Sequence, residues 1–205
     1  MDSVETLKQH LALPLPGKEI QYQMAPEDRD KKVSKEMTSP KKGAVLILLF
    51  KKSNKLYFLL TERADNLKFH GGQISFPGGL FENKDKTLQQ TALRETFEET
   101  GFRVLENQII GKLTPLYIPV SNFQVFPFVA FSPTIPKWRK NNSEVKLLIT
   151  VSLTDFLCQS PLEMEKTIAG EKVKIPYFWV SNKVVWGATA MILNEFKVVL
   201  KRECF

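Results

Sequence analysis

Cysteine is scarce in this chain. Only Cys158 and Cys204 occur among 205 residues, and neither lies in a CxxC or similar spacing. That argues against a disulfide-stapled scaffold and a thiolate zinc site, and it suits a reducing compartment. Long apolar runs are missing as well, since nothing approaches the ~20 residues that a membrane helix needs. No membrane partner is therefore expected. The opening MDSVETLKQHLALPLPGKE carries acids early and no extended apolar stretch, so a secretory leader is not expected. The closing ECF matches no peroxisomal address or prenylation box. The expected location is cytoplasmic. Internal repeats and low-complexity tracts are also lacking.

What is present is an ordinary globular composition, 43% hydrophobic and 25% charged, long enough for one domain with a sizeable core. The formal charge of +7 suits an anionic ligand, either a polyphosphate or a nucleic acid. The basic residues are dispersed and form no recognition motif, so a nucleic-acid partner is not expected.

The spacing predicts a short helix over 3–12, ended by Pro14 and Pro16. Residues 25–42, APEDRDKKVSKEMTSPKK, read as an exposed charged linker. AVLILLF (44–50) and KLYFLLTER (55–63) flank Lys-Ser-Asn turn chemistry and predict a hairpin. QISF (73–76) predicts a short strand entering Pro77-Gly78-Gly79. A helix is expected over 87–100, with a capping-box pattern at Thr87 and Gln90 and a C′ glycine at Gly101. Strands follow at 109–119, 123–131, 145–153 and 172–180, and a last helix at 187–200. Mixed strands with two principal helices imply α+β or α/β, around one core.

The predicted helix ends in an anomaly. RETFEETGF (94–102) puts Glu95, Glu98 and Glu99 in its last turn, where the dipole favours cations. Their mutual spacing adds repulsion. On a helical wheel Leu93, Thr96, Phe97 and Thr100 form the expected core face, and the three acids fall on another. A solvated acidic face is one reading. A bound divalent cation is the other, because it turns the repulsion into attraction. Glu95 and Glu99, one turn apart, can converge on one hard ion. Glu98 can add a ligand, hold a water or anchor Arg94. Oxygen ligands suit Mg²⁺ or Mn²⁺ rather than zinc. Just upstream, FPGGLFENKD (76–85) offers a glycine loop, which alone is only a turn. Before an acidic helix it can present a backbone carbonyl, at Gly79, to the same ion.

These residues resemble the Nudix hydrolases, whose box reads G-x5-E-x7-R-E-U-x-E-E-x-G-U with U a bulky aliphatic residue. Arg94 through Phe102 match its second half, apart from Thr96 at the first U position and an aromatic Phe102 at the last. The first half departs, with Lys86 where a glutamate is expected and Glu82 and Asp85 nearby. LLTERADNLKFHGGQISFPGGLFENKD (59–85) further resembles the coenzyme A pyrophosphatase subgroup, with Ala64 in place of the usual serine. Weaker resemblance extends to PLPGKEIQYQMAP near the start, to Ser143-Glu144-Val145 and to Val185–Ala190.

The resemblance implies a Nudix α/β/α sandwich, a mixed sheet between helices. Residues 43–205 would form the domain, and residues 1–42 a helix and charged loop packed on or flanking it. It implies metal-dependent hydrolysis of the diphosphate in coenzyme A or acyl-coenzyme A, with Mg²⁺ or Mn²⁺ on Glu95, Glu99, Glu98 and the Gly79 carbonyl. Arg94 is expected to orient a helix carboxylate. Glu98 and Glu144 are both candidates for the general base, with a plain loop residue the alternative for Glu144. Arg63, His70 and Gln73 are the candidate substrate contacts, with a structural hydrogen bond the alternative for His70 and a local pair with Glu62 or Asp65 for Arg63. The Lys and Arg residues of 29–42, with Lys137, Arg139 and Lys140, are candidates for further phosphate affinity, with a solvated surface the alternative for most of them. Another nucleoside diphosphate derivative such as ADP-ribose, and a non-catalytic binding module, are the competing readings. A homodimer is neither required nor excluded.

Overall fold

Two long, nearly continuous apolar runs build the centre of the molecule. A computed structural model describes residues 3–27, 39–66, 71–168 and 170–202. Strands β1 (Lys41–Lys52) and β2 (Lys55–Arg63) form the expected hairpin, turned by Ser53 and Asn54, both at positive φ. Their register holds only from Leu49↔Phe58 to Lys52↔Lys55; beyond it the strands part like a fork. Two short strands fill the fork, β3 (Ile74–Ser75) on β2 and β4 (Gly78–Leu80) on β1. Helix α3 (Leu88–Thr100) follows, then β5 (Ile109–Lys112), β6 (Leu116–Ile118), β7 (Phe123–Ser132) and β8 (Val145–Ser152). Strand β7 runs parallel to β1 and the other pairings are antiparallel, so the eight-stranded sheet is mixed.

Side chains alternate across β1 and feed two cores. Ala44, Leu46 and Leu48 meet Ala92 and Leu93 of α3 on one face. Ile47 and Leu49 face the other way, into a larger cluster with helix α5 (Gly187–Leu200). Helices α1 (Ser3–Ala12) and α2 (Lys18–Tyr22) join that second face, through Leu7, Leu11 and the partly buried Tyr22. So does α4 (Leu153–Cys158), whose Phe156 meets Phe58 and Phe178 edge-on at 5.4 Å each. Fully burying such a ring stabilises the fold by roughly 1.5–3 kcal/mol. A separate three-stranded sheet, β9 (Leu162–Ile168), β10 (Glu171–Val180) and β11 (Lys183–Trp186), leads into α5.

The expected elements hold with local corrections. The strand expected over 109–119 is two strands, β5 and β6, and the strand of 145–153 gives way to α4 after Ser152. The linker of 25–42 already turns into strand at Lys41, and residues 28–38 of it lie outside the described residues. The weakly resembling segment near the N-terminus packs on α5: Gly17 N–H and Gln21 Nε2 donate to Glu195, and Asn194 Nδ2 donates to the Ile20 carbonyl. Among the described residues no helix is long and apolar enough to cross a membrane.

Candidate active site

Helix α3 begins and ends where its local chemistry dictates. Thr87 Oγ1 accepts from the Gln90 N–H at 3.2 Å, and Gly101 closes the helix in the left-handed region at φ 69°. The box is incomplete, because the Gln90 side chain accepts from the Lys86 N–H instead of turning back to Thr87. At the other end, the Arg139 and Asn141 N–H groups donate to the carbonyls of Thr100 and Glu99, at 2.7 and 2.9 Å. Those carbonyls would otherwise lack partners, and covering them draws the 139–144 loop onto the acidic turn. Arg139 therefore serves here through its backbone. Lys140 Nζ is held locally, by Asn142 and by the Val145 carbonyl.

Leu93, Thr96 and Thr100 are buried as the helical wheel expects, but Phe97 and Glu99 are exchanged. Phe97 is 41% exposed, with the Arg103 guanidinium 4.9 Å from its ring centre, whereas Glu99 is only 3% exposed. The crossing of α3 over β1 and β4 sets the buried face. Gly79 shows how close that crossing is: a Cβ there would lie 2.5 Å from the Glu95 carboxyl carbon. Only glycine lets Glu95 lie against the strand.

Arg94 organises one flank. Its Nε and Nη2 donate to the two oxygens of Asp85 at 2.9 Å each, and Nη2 also reaches the Leu80 carbonyl at 3.0 Å. Nη1 donates to Glu95 Oε1 at 2.8 Å and Glu98 Oε2 at 3.0 Å. Asp85, which also accepts from Thr91 Oγ1 and the Glu82 N–H, thus takes the clamping role that Lys86 cannot fill. The Arg94 contact holds the Asp85 carboxyl well below the usual carboxylate range, and Asp85 in turn pushes the Arg94 guanidinium up.

The other flank is short of partners. Burial pushes the Glu99 carboxyl up to about 8, against the opposing pull of the Arg63 charge and the Gly78 N–H. Glu99 Oε2 is buried without a hydrogen-bond partner. Burial also raises Glu95, and Glu144 adds repulsion to both. Glu144 is held by Asn141, whose Nδ2 donates to its Oε1 at 3.3 Å, while the Glu144 carbonyl accepts from the Ala64 N–H. Arg63 Nε is buried and unpartnered. The local pairs expected for Arg63 go elsewhere, since Lys146 and Lys183 take Glu62 and Lys146 takes Asp65.

Glu95, Glu99, Glu144 and Arg63 are therefore brought together, and Gln73 adjoins them through its carbonyl, which accepts from the Arg63 N–H at 3.0 Å. His70 lies outside the described residues. Glu98 shares Arg94 Nη1 with Glu95 and adds its charge there, but Lys84 also engages it and its side chain is 42% exposed. Among the described residues no three His, Cys, Asp or Glu side chains gather into a ready-made cage. A hard ion that keeps several waters needs only one or two carboxylates plus substrate phosphate. Glu95 and Glu99 meet that need, and the orphaned Glu99 oxygen fits such an ion. The positioning roles of Asn141 and the Arg139 backbone carry no sequence signal, because both depend on where a distant loop lands.

Residues 40–159 match the model of the NUDIX domain. The chain is 30% identical over 162 residues to "Uncharacterized Nudix hydrolase NudL" of Photorhabdus laumondii, covering 78% of this chain and 86% of that one. It is 33% identical over 167 residues to the protein of the same name from an Enterobacter species, covering 80% and 85%. A solved MutT/nudix family protein from Enterococcus faecalis aligns over 98% of this chain and 73% of its own, at 15% identity and a TM-score of 0.51. That likeness is one of fold.

Proposed function

Because the chain belongs to the Nudix hydrolase family, as a pyrophosphatase of nucleoside diphosphate derivatives, we propose that its substrate is coenzyme A or an acyl-coenzyme A. The products are 3′,5′-adenosine bisphosphate and 4′-phosphopantetheine or its acyl form. One observation carries the reading. The described residues of the 59–85 stretch, with its coenzyme A-type pattern, supply β3 and β4 that fill the fork between β1 and β2, and with Arg63 of β2 they set its unpartnered Nε beside the charge of Glu99.

Nudix hydrolases generally use divalent cations, and we assign Mg²⁺ or Mn²⁺ to Glu95 and Glu99; the Gly79 carbonyl, also expected as a ligand, lies against Gly43 of β1. When bound, the ion neutralises charge on the diphosphate and acidifies an attacking water. The chain does the rest. Asp85 fixes Arg94, and Arg94 fixes Glu95. Arg63 supplies a fork for a phosphate oxygen. Glu144 accepts the proton of the water, supported by the backbone hydrogen bonds that tie its loop to the Glu99 end of α3; Glu98 is engaged by Arg94 and Lys84. The cytoplasm is the compartment we propose.

The test is a kinetic panel of coenzyme A, acetyl-coenzyme A and ADP-ribose with Mg²⁺ or Mn²⁺, products resolved by chromatography. Coenzyme A or its ester is expected to give 3′,5′-adenosine bisphosphate with the highest kcat/KM. Markedly faster hydrolysis of ADP-ribose overturns the substrate assignment.

A further inference from the structure

An open groove of about 470 Å³ borders the acidic site, lined by Lys41, Lys42, Leu80, Phe81 and Glu82. Two observations set it apart from ordinary surface. Leu80 and Phe81 are 50% and 41% exposed, an apolar and aromatic pair left in solvent where a strand leaves the sheet. Lys41 and Lys42 have no ion-pair partner among the described residues, while Glu82 is already paired with Lys84 at 3.1 Å and Arg94 at 3.7 Å. The groove therefore sets two lysines without ion-pair partners among the described residues beside an exposed ring.

Its position ties it to the chemistry. Arg94 grips Glu95 and, with the same guanidinium, the Leu80 carbonyl and Glu82 on the groove wall. The groove begins one guanidinium away from the acid cluster. Lys41 and Lys42 are the first two residues of β1, both exposed, and both line the groove at the end of that strand.

We infer that this groove is the subsite for the 3′-phosphoadenosine half of the substrate, with Phe81 against the purine and Lys41 and Lys42 on the 3′-phosphate. The inference rests on the coenzyme A reading and names the residues that would enforce it. Neutral pantetheine has no use for two unpaired cations, whereas a phosphomonoester on a nucleoside matches both the charge and the ring. ADP-ribose lacks that phosphate, so the groove discriminates against it.

The decisive quantity is the ratio of kcat/KM for coenzyme A over 3′-dephospho-coenzyme A. It cancels general effects of a substitution on folding, because both substrates meet the same protein. The parent is expected to prefer coenzyme A about tenfold, a modest value for solvent-exposed charge-assisted contacts. In the K41A/K42A double variant the ratio falls toward one, mainly through KM. Phe81→Ala lowers both values alike and keeps the ratio. Calorimetry adds a check without turnover: 3′,5′-adenosine bisphosphate binds the parent more tightly than AMP does, and the double variant loses the difference. A parent ratio near one, or a ratio unchanged by the double variant, overturns the subsite while leaving the coenzyme A reading standing. If neither form of coenzyme A is hydrolysed and ADP-ribose is, both fall.

Discussion

Each long helix buries a glutamate, one on either face of the sheet, and the two are provided for in opposite ways. Glu195 of α5 has 0% exposure, and its oxygens accept from Gly17 N, Gln21 Nε2, Thr114 N and Thr114 Oγ1. It ties the N-terminal segment and the β5–β6 connection to α5. Glu99 of α3 is nearly as buried, yet one of its oxygens has no donor and its carboxyl is pushed up to about 8. A buried carboxylate surrounded by donors is structural, whereas one left short is costly unless something else pairs with it. The contrast separates the scaffold from the site within one chain.

The largest test of that contrast is Glu99→Gln. Turnover with Mg²⁺ is expected to fall at least about a thousandfold, since an anionic ligand is lost at the reacting centre. The melting temperature of the chelator-treated variant is expected to hold or rise near neutral pH, because the buried side chain no longer has to take up a proton on folding. Undiminished turnover in steady-state assays would sink the assignment of Glu99. Next comes Glu195→Ala, which strands several buried donors at once. We expect about 3 kcal/mol of lost stability in urea unfolding. Its turnover per folded molecule stays within about twofold of the parent, and a much larger loss would place Glu195 in the site as well.

The same contrast explains what could be read in advance. Both boundaries of α3 were legible because Thr87 and Gly101 act locally, and so were the Ser53-Asn54 turn and the whole span of α5. The buried side of α3 was legible at Leu93, Thr96 and Thr100 but not at Phe97 and Glu99. A helical wheel ranks residues by polarity, and it cannot see how α3 packs on β4, whose Gly79 lies against the neighbouring Glu95. Strand β9, LEMEKTI, mixes charged and apolar residues without clean alternation and escaped notice. The acids Glu95 and Glu99 stood out by their spacing, but the partners that define them did not. Asp85, Asn141 and the donors to Glu195 are joined to their targets by folding alone.

The smallest effect sharpens the comparison most, because it reads Glu99 without turnover. With metal removed by a chelator, the folded protein retains a proton on Glu99 between the ordinary glutamate range near 4.5 and about 8, where the unfolded chain has lost it. Folding then binds protons, so stability is full below about 4.5 and declines as pH rises toward 8. The slope is at most about 1.4 kcal/mol per pH unit, or roughly 2.5 kcal/mol between pH 5 and 7. Glu95, also raised, bends the curve the same way. Asp85, held low by Arg94, acts oppositely and lends stability that disappears only as pH falls below the ordinary aspartate range. Urea titrations across this window should show the decline in the parent and in Glu195→Gln, and most of it should be absent in Glu99→Gln. Saturating Mg²⁺ should flatten the parent curve, because the ion stabilises the ionised form that burial opposes. A slope that survives in Glu99→Gln would mean that the proton resides elsewhere, and the distinction between the two buried glutamates would lose its basis.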